Sequence, residues 1–253
     1  MTGAPLAGGL RASRLPPVLV VSGTGTEVGK TVVTAAVAAL ALGRGDRVAV
    51  VKPAQTDEPP GSAGDLEVVR RLSGVSRTVE LARFPDPLSP EAAARAAGQP
   101  PLDLAEAAVV VKQLAASADL VLVEGAGGLL VRYDPAGGTI ADLAAMLAAP
   151  VLVVTAPGLG TLNHTALTLE ALSARRLLPA GVVIGCWPER PGLAERANLT
   201  DLVTIAGRPL AGALPAGAGR LDRDAFLAVA RAGLGPELGG NFPGFPAKFA
   251  DPH

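Results

Sequence analysis

Residues 18–42 read VLVVSGTGTEVGKTVVTAAVAALAL, and the reading of this stretch decides the fold. Four aliphatic residues without a polar break predict a buried strand, the glycine-rich piece after them a turn, and the alanine-rich run from Gly29 a helix. In such a unit the backbone N–H groups of residues 25–31 point into the turn and the helix adds the positive end of its dipole, so it favours bound phosphate. Lys30 then reaches the β- and γ-phosphates as a point charge, and the Thr31 hydroxyl binds Mg²⁺. Gly29 is read as small so that the backbone can approach the anion. A dinucleotide fingerprint fits worse, because G-x-G-x-x-G counted from Gly23 requires glycine where Val28 stands, and it gives Lys30 no role. The spacing is unusual even for a phosphate loop. The common form, G-x-x-x-x-G-K-[ST], needs glycine at the position of Thr24, whereas the glycine is one residue earlier, at Gly23.

Outward from this unit, the alternation of strand and helix repeats along the chain. Apolar runs at 18–21, 48–51, 120–124, 151–155, 181–185 and, more weakly, 209–214 predict strands. Helical patterns fall near 30–42, 64–73, 89–97, 103–118, 139–148, 161–175, 193–206 and 222–232. Strands apolar on both faces and separated by helices specify an α/β fold of three layers with a mostly parallel central sheet flanked by helices, and the phosphate-loop motif makes a P-loop NTPase arrangement the expectation. Ligands then gather at the carboxyl ends of the strands. No repeat or composition break divides the chain. The expectation is a flexible N-terminal extension over 1–16, a single P-loop α/β domain over 17–235 and a Gly/Pro-rich C-terminal tail over 236–253, whose three phenylalanines could dock on the body.

Composition narrows the partners. A chain of 253 residues, 49% hydrophobic, can bury a sizeable core. Twenty-two basic residues against twenty-three acidic ones leave a charge of -1, with no electrostatic footprint for nucleic acid or an anionic membrane, so small molecules are expected. The single cysteine, Cys186, excludes an internal disulfide, and the distant His164 and His253 exclude a Cys/His metal site; a cytoplasmic protein fits best. No apolar run approaches the ~20 residues a membrane helix needs.

Four further stretches carry chemistry. In VVKPAQTD (50–57), Lys52 follows a buried strand directly, where a lysine either finds a partner or snorkels over the sheet, and Thr56 sets a hydroxyl nearby. Asp65 opens the helix pattern DLEVVRRL, a position that capping alone would explain. In LVLVEGAGGLLV (120–131) a hydrophobic strand runs into Glu124, a carboxylate placed to partner Mg²⁺ beside a phosphate loop, followed by glycines that permit close backbone approach. VVTAPGLGTLNHTALTLEAL (153–172) reads as strand, glycine turn and a helix capped by Thr161 or Asn163. His164 and Cys186 are read as structural, since nothing basic lies beside the thiol in sequence.

A loop whose glycines are Gly23 and Gly29 occurs in the branch of P-loop proteins that includes partitioning ATPases and several ATP-dependent amide- or ring-forming enzymes. GTGTEVGKT resembles the loop of the dethiobiotin synthetase family; KPAQT (52–56), VEGAGG (123–128) and GTLNHT (160–165) match that family's other motifs in order, over about residues 17–232. The resemblance implies ATP binding by Glu27, Val28, Gly29, Lys30, Thr31 and Val32 with Asp65, Glu124, Gly125, Ala126 and Gly127. It puts the nucleobase beside Gly185, Cys186 and the segment Pro215, Ala216, Gly217. Many members carry an asparagine where Gly185 and Cys186 stand, so the base would be read here by other groups. Mg²⁺ would sit on Thr31, Asp65 and Glu124, with Asp57 a competitor for Asp65. Lys52 and Lys30 would be catalytic, stabilising charge on a reacting carbamate and phosphate. Thr56, Gly127 and Gly128 would contact the substrate, and Gly160, Thr161, Leu162 and Asn163 would bind its carboxylate at the interface of a homodimer.

The implied reaction joins ATP, CO₂ and 7,8-diaminononanoate into dethiobiotin, ADP and phosphate. The rival is a ParA/MinD-like partitioning ATPase, a switch without a small-molecule product. Such switches usually carry an extra lysine just after the first loop glycine, where this chain has Thr24. An amide-forming enzyme of cobalamin synthesis is a further relative, but it would bring a glutamine-hydrolysing domain and a nucleophilic cysteine.

Overall fold

The structure, a computed structural model, describes residues 15–245; the greater part of the expected extension, before Leu15, and residues 246–253, including His253, lie outside the described residues. Seven strands form one sheet: β1 (Val18–Gly23), β2 (Val48–Gln55), β3 (Arg77–Arg83), β4 (Leu120–Gly128), β5 (Val151–Thr155), β6 (Pro179–Trp187) and β7 (Gly212–Pro215). Their spatial order is β3-β2-β4-β1-β5-β6-β7, and every neighbouring pair runs parallel. With β4 on one side and β5 on the other, the carboxyl end of β1 is the point where the chain's winding reverses, the place where open parallel sheets bind ligands.

The unbroken apolar runs feed two cores at once. In β1, Leu19 and Val21 face one layer and Val20 the other; Leu122 against Val121 and Val123 in β4, and Val154 against Val153 in β5, divide in the same way. One layer holds α1 (Lys30–Gly43), α2 (Asp65–Ser73) and α8 (Arg223–Gly233). The other holds α3 (Pro90–Ala96), α4 (Leu104–Ala115), α5 (Ile140–Met146), α6 (Thr161–Ala174) and α7 (Leu193–Ala206). α1 is buried around most of its circumference, which its run of alanine and valine permits. Among the described residues no helix is long and apolar enough to cross a membrane.

The structure departs from the sequence expectation in three places. β3 had no predicted counterpart: its sequence, RTVELAR, is polar at every third position and partly exposed along its length, as an edge strand that must discourage further pairing can be. α6 is preceded by Gly160 in the left-handed region, φ 90°, and neither Thr161 nor Asn163 caps it with a side chain. The folded body also runs past 235. A 3₁₀ turn at Pro236–Leu238 buries Leu238, and Phe242 and Phe245 pack on the core, the Phe245 ring lying 4.8 Å from that of Trp187 at the end of β6.

Gly29 has a reason to be glycine that the phosphate argument lacked. It sits at φ 95°, and a Cβ there would lie 2.5 Å from the carbonyl oxygen of Gly185; a Cβ on Gly185 would lie 2.1 Å from the Val28 carbonyl oxygen. The end of β6 and the phosphate loop are packed backbone on backbone. Gly185→Ala is therefore expected to cost about 3 kcal/mol in denaturant unfolding, because neither backbone can yield. Gly43→Ala, where an added Cβ meets nothing within 4 Å, should instead be neutral or stabilise by a few tenths of a kcal/mol.

Candidate active site

The loop between β1 and α1 is anchored from below. Val28 is buried in the α1 layer, and the N–H of Thr24 donates to the Val154 carbonyl at 2.9 Å, tying the loop to β5. Among the described residues, none of the N–H groups of residues 25–32 donates to a protein acceptor, so they converge as free donors at the start of α1. Lys30, 7% exposed, lies across the loop with Nζ donating to the Gly25 carbonyl at 2.8 Å. Glu27 takes φ 58°, and its side chain is exposed, which keeps its charge in water at the mouth of the cleft.

Beneath the loop lies a cluster of charge. Lys52 is inside β2, not after it, and is 2% exposed. Its Nζ stands 2.9 Å from Glu124 Oε1 and 2.5 Å from Asp65 Oδ2. The Thr31 hydroxyl lies 2.9 Å from Asp65 Oδ1 and 2.9 Å from Glu124 Oε1, so one residue of each of β2, β4, α1 and α2 meets at one point. Burial opposes the charge on Lys52, but Glu124 and Asp65 outweigh it and raise its pKa. For Asp65, burial is likewise outweighed by Lys52, with help from Thr31, and its pKa is lowered. Lys30 goes the other way: burial first, then Lys52, bring it down to about 8 against the pull of Glu124 and Asp65.

This geometry decides between the alternatives left open by sequence. Asp65 is the first residue of α2 and Gly64 occupies the cap position, so its carboxylate is free to face Thr31 and Lys52. Asp57 lines the cleft at φ 65° but takes no part in the cluster. Glu124 is fully buried, and its Oε2 has no partner among the described residues. Two carboxylates and a hydroxyl beside a phosphate-binding loop are the hard oxygen donors Mg²⁺ takes, and Glu124 Oε2 is buried without a protein partner; the residues fit that ion.

A cleft of about 370 Å³ opens over the cluster, lined by Glu27, Gly29, Lys30, Thr31, Val32, Lys52, Thr56, Asp65, Ala126 and Gly127 among others. Val28, Glu124 and Gly125 are buried and do not line it, and Gly128 faces a separate groove with Thr24, Leu130 and His164. Gly185 touches the loop from β6, and half-buried Cys186 follows it, its thiol pKa raised by burial. The segment Pro215, Ala216, Gly217 begins on the last residue of β7, and a Cβ added two residues on, at Gly219, would lie 3.3 Å from the Val32 side chain of α1. Gly160, Thr161, Leu162 and Asn163 do not line this chain's cleft, and the Thr161 hydroxyl bonds Thr155 and the Ala156 carbonyl.

Sequence reasoning missed Gln55, which lines the cleft, the Thr26 side chain, which does the same, and Tyr133, whose buried hydroxyl accepts from the Ala126 N–H at 2.7 Å. Gln55 lies inside a quoted motif and could have been found; Tyr133 had no local signal.

A family profile described as an AAA domain matches residues 18–219. An ATP-dependent dethiobiotin synthetase BioD of Frankia casuarinae is 65% identical over 224 residues, covering 88% of this chain and 94% of that protein. Another, of Streptomyces coelicolor, is 58% identical over 226 residues, covering 89% and 95%. The chain belongs to the dethiobiotin synthetase family. As a member of the dethiobiotin synthetases it uses ATP, and the loop expected to hold phosphate has that nucleotide to hold. A ParA family ATPase from Chlorobium tepidum superposes with a TM-score of 0.52 at 14% identity, covering 90% of this chain and 96% of that one. That likeness shows the shared P-loop fold alone, and the switch reading drops out against the dethiobiotin synthetase relatives.

The Lys30 pKa sets a measurable pH limit. Below about 8 the free protein carries the charge an incoming phosphate needs; above it, binding must take up a proton. ADP affinity measured by calorimetry should stay level up to that pH and then fall, by at most about tenfold per unit. A profile that stays level well above it would show that burial and Lys52 do not hold Lys30 that low in the free protein.

Proposed function

We propose that this chain is an ATP-dependent dethiobiotin synthetase, a ligase that closes the ureido ring of dethiobiotin in biotin biosynthesis. The observation that carries the reading is the meeting of Lys52, Glu124, Asp65 and Thr31 under a phosphate loop, in a chain so similar to dethiobiotin synthetases. One amine of 7,8-diaminononanoate takes up CO₂ as a carbamate. A carbamate oxygen attacks the γ-phosphorus of ATP and ADP leaves; the second amine then attacks the carbamate carbon and expels phosphate. None of the three steps needs a protein nucleophile, and the chain's residues contribute by positioning and by opposing charge.

In this reading Lys30 and Lys52 are the catalytic cations. Lys30 can swing from the Gly25 carbonyl to a phosphate oxygen, and Lys52 is held charged by its two carboxylates at the cleft floor. Thr31, Asp65 and Glu124 hold Mg²⁺, which supplies charge neutralisation for the phosphates when bound. The free N–H groups of residues 25–32 take the phosphates, and Gly185, Cys186 and the segment Pro215, Ala216, Gly217 flank the base. Thr56, Gly127 and Gly128 belong to the substrate.

A homodimer completes it. Gly160, Thr161, Leu162 and Asn163 then serve the partner's substrate, and the exposed Leu130 and Leu167 beside the groove of Gly128 and His164 support burial of that face by a second copy. A cytoplasmic location goes with the chemistry.

The deciding assay is ADP release from Mg-ATP and bicarbonate with and without the diamine. Release should require the diamine; release that ignores it, or responds to DNA or lipid instead, would sink the proposal. Lys52→Gln should abolish turnover and, by leaving Glu124 without its cation, lower stability by about 3–5 kcal/mol.

A further inference from the structure

Residues 56–64 form a loop between β2 and α2 that leads directly into Asp65, and one side chain ties its two ends. Gln55, 5% exposed, accepts from the Asp65 N–H through Oε1 at 2.9 Å and donates from Nε2 to the Thr56 carbonyl at 3.0 Å. Only this amide orientation works, because the flipped one would set N–H against N–H and oxygen against oxygen. A second hold comes from the edge strand. Arg83, in register with Gln55, donates to the Ser62 carbonyl at 3.0 Å, while Glu80 fixes the guanidinium with two bonds of 2.6 and 2.8 Å.

The neck has no slack. A Cβ on Gly64 would lie 2.8 Å from Gln55 Oε1 and 2.8 Å from an Arg83 nitrogen, so amide, guanidinium and backbone are in contact at the residue before Asp65. Farther along the loop, the one Ser62 hydroxyl proton is shared between Glu58 Oε2 and the Pro59 carbonyl, which stand 2.5 and 2.8 Å from Oγ. Ordering such a segment costs conformational entropy at every residue, and these bonds oppose it where Thr56 and Asp65 enter the site.

We propose that Gln55 and Arg83 are positioning residues which, through the neck of the 56–64 loop, hold the Asp65 carboxylate against Thr31 and Lys52 and keep Thr56 at the substrate end of the cleft. This rests on the reading of Asp65 as a Mg²⁺ ligand and goes beyond it. Groups that hold a metal ligand in place typically change metal affinity about 10–100-fold when removed. The two residues act from different elements on one neck, so they should act alike.

The test uses two variants of the full chain. Gln55→Met keeps the shape and removes both amide bonds; Arg83→Met keeps the stem and removes the fork. Calorimetry with ADP, with and without Mg²⁺, isolates the metal's share of affinity, since the loop N–H groups bind phosphate in both cases. The expected result is a metal-dependent gain reduced about tenfold in each variant, with metal-free ADP affinity unchanged. In steady state the KM for the diamine should rise more than that for ATP. Folded variants that keep the full gain would overturn the proposal, and so would failure of both to fold, which would make the pair structural. Should Gln55→Met alone fail, Arg83→Met decides, its side chain being 23% exposed. A wild-type chain whose ADP affinity ignores Mg²⁺ would instead overturn the reading of Asp65, and this proposal with it; the ADP-release assay would still judge the synthetase reading separately.

Discussion

Lys52 keeps its charge at 2% exposure, and that constraint organises the centre of the molecule. Removing an ammonium from water is costly unless opposing charges and hydrogen bonds replace the solvent, so two carboxylates must arrive within reach. Glu124 arrives because β4 lies beside β2 in the sheet, and Asp65 because the loop after β2 returns to start α2 over the same strand end. Thr31 joins both carboxylates to the first turn of α1. The group that neutralises the cluster floor is thus bonded to the helix that presents the phosphate donors, and a change in any of four elements is felt by the others.

The loop above is fixed by a different kind of force. Its N–H groups stay free because Gly29 turns left-handed and the chain on either side is pinned, by Val28 in the core and by Thr24 on β5. Gly29 and Gly185 allow the backbone of β6 to press on that loop, a contact no side chain could fit. P-loop proteins of quite different work share this framework, which is why superposition on a ParA family ATPase speaks to fold and the residues around Lys52 speak to chemistry. An asparagine could not stand at Gly185 in any case, because the carbonyl of Val28 leaves no room there for a Cβ.

Much of the sheet was legible in advance because its strands are buried on both faces and so read as unbroken aliphatic runs. β3 escaped because an edge strand keeps polar residues, and with it escaped Arg83, whose grip on the loop depends on a pairing register that no local pattern encodes. The segment to Phe245 reads as a tail because Gly and Pro dominate its composition, while its attachment to the body rests on Leu238 and on two aromatic rings meeting the core and Trp187. In the sequence Asp65 is preferred to Asp57 on the family resemblance, not on the residues themselves, since both follow β2 and either could have turned inward.

The sequence by itself determined the strand, glycine-rich turn and helix that bind phosphate, the parallel sheet, and the identity of Lys30, Thr31, Lys52 and Glu124 as candidate chemistry. Those are local facts, readable from runs of apolar residues and from polar residues at their ends. Only the tertiary structure decided that Lys52 is paired and not snorkelling, that Asp65 and not Asp57 completes the cluster, and that Gln55 and Arg83 bind the neck of the loop. Each of these depends on distances between elements remote in the chain, and those distances are set by strand order and burial, which act only once the sheet has formed.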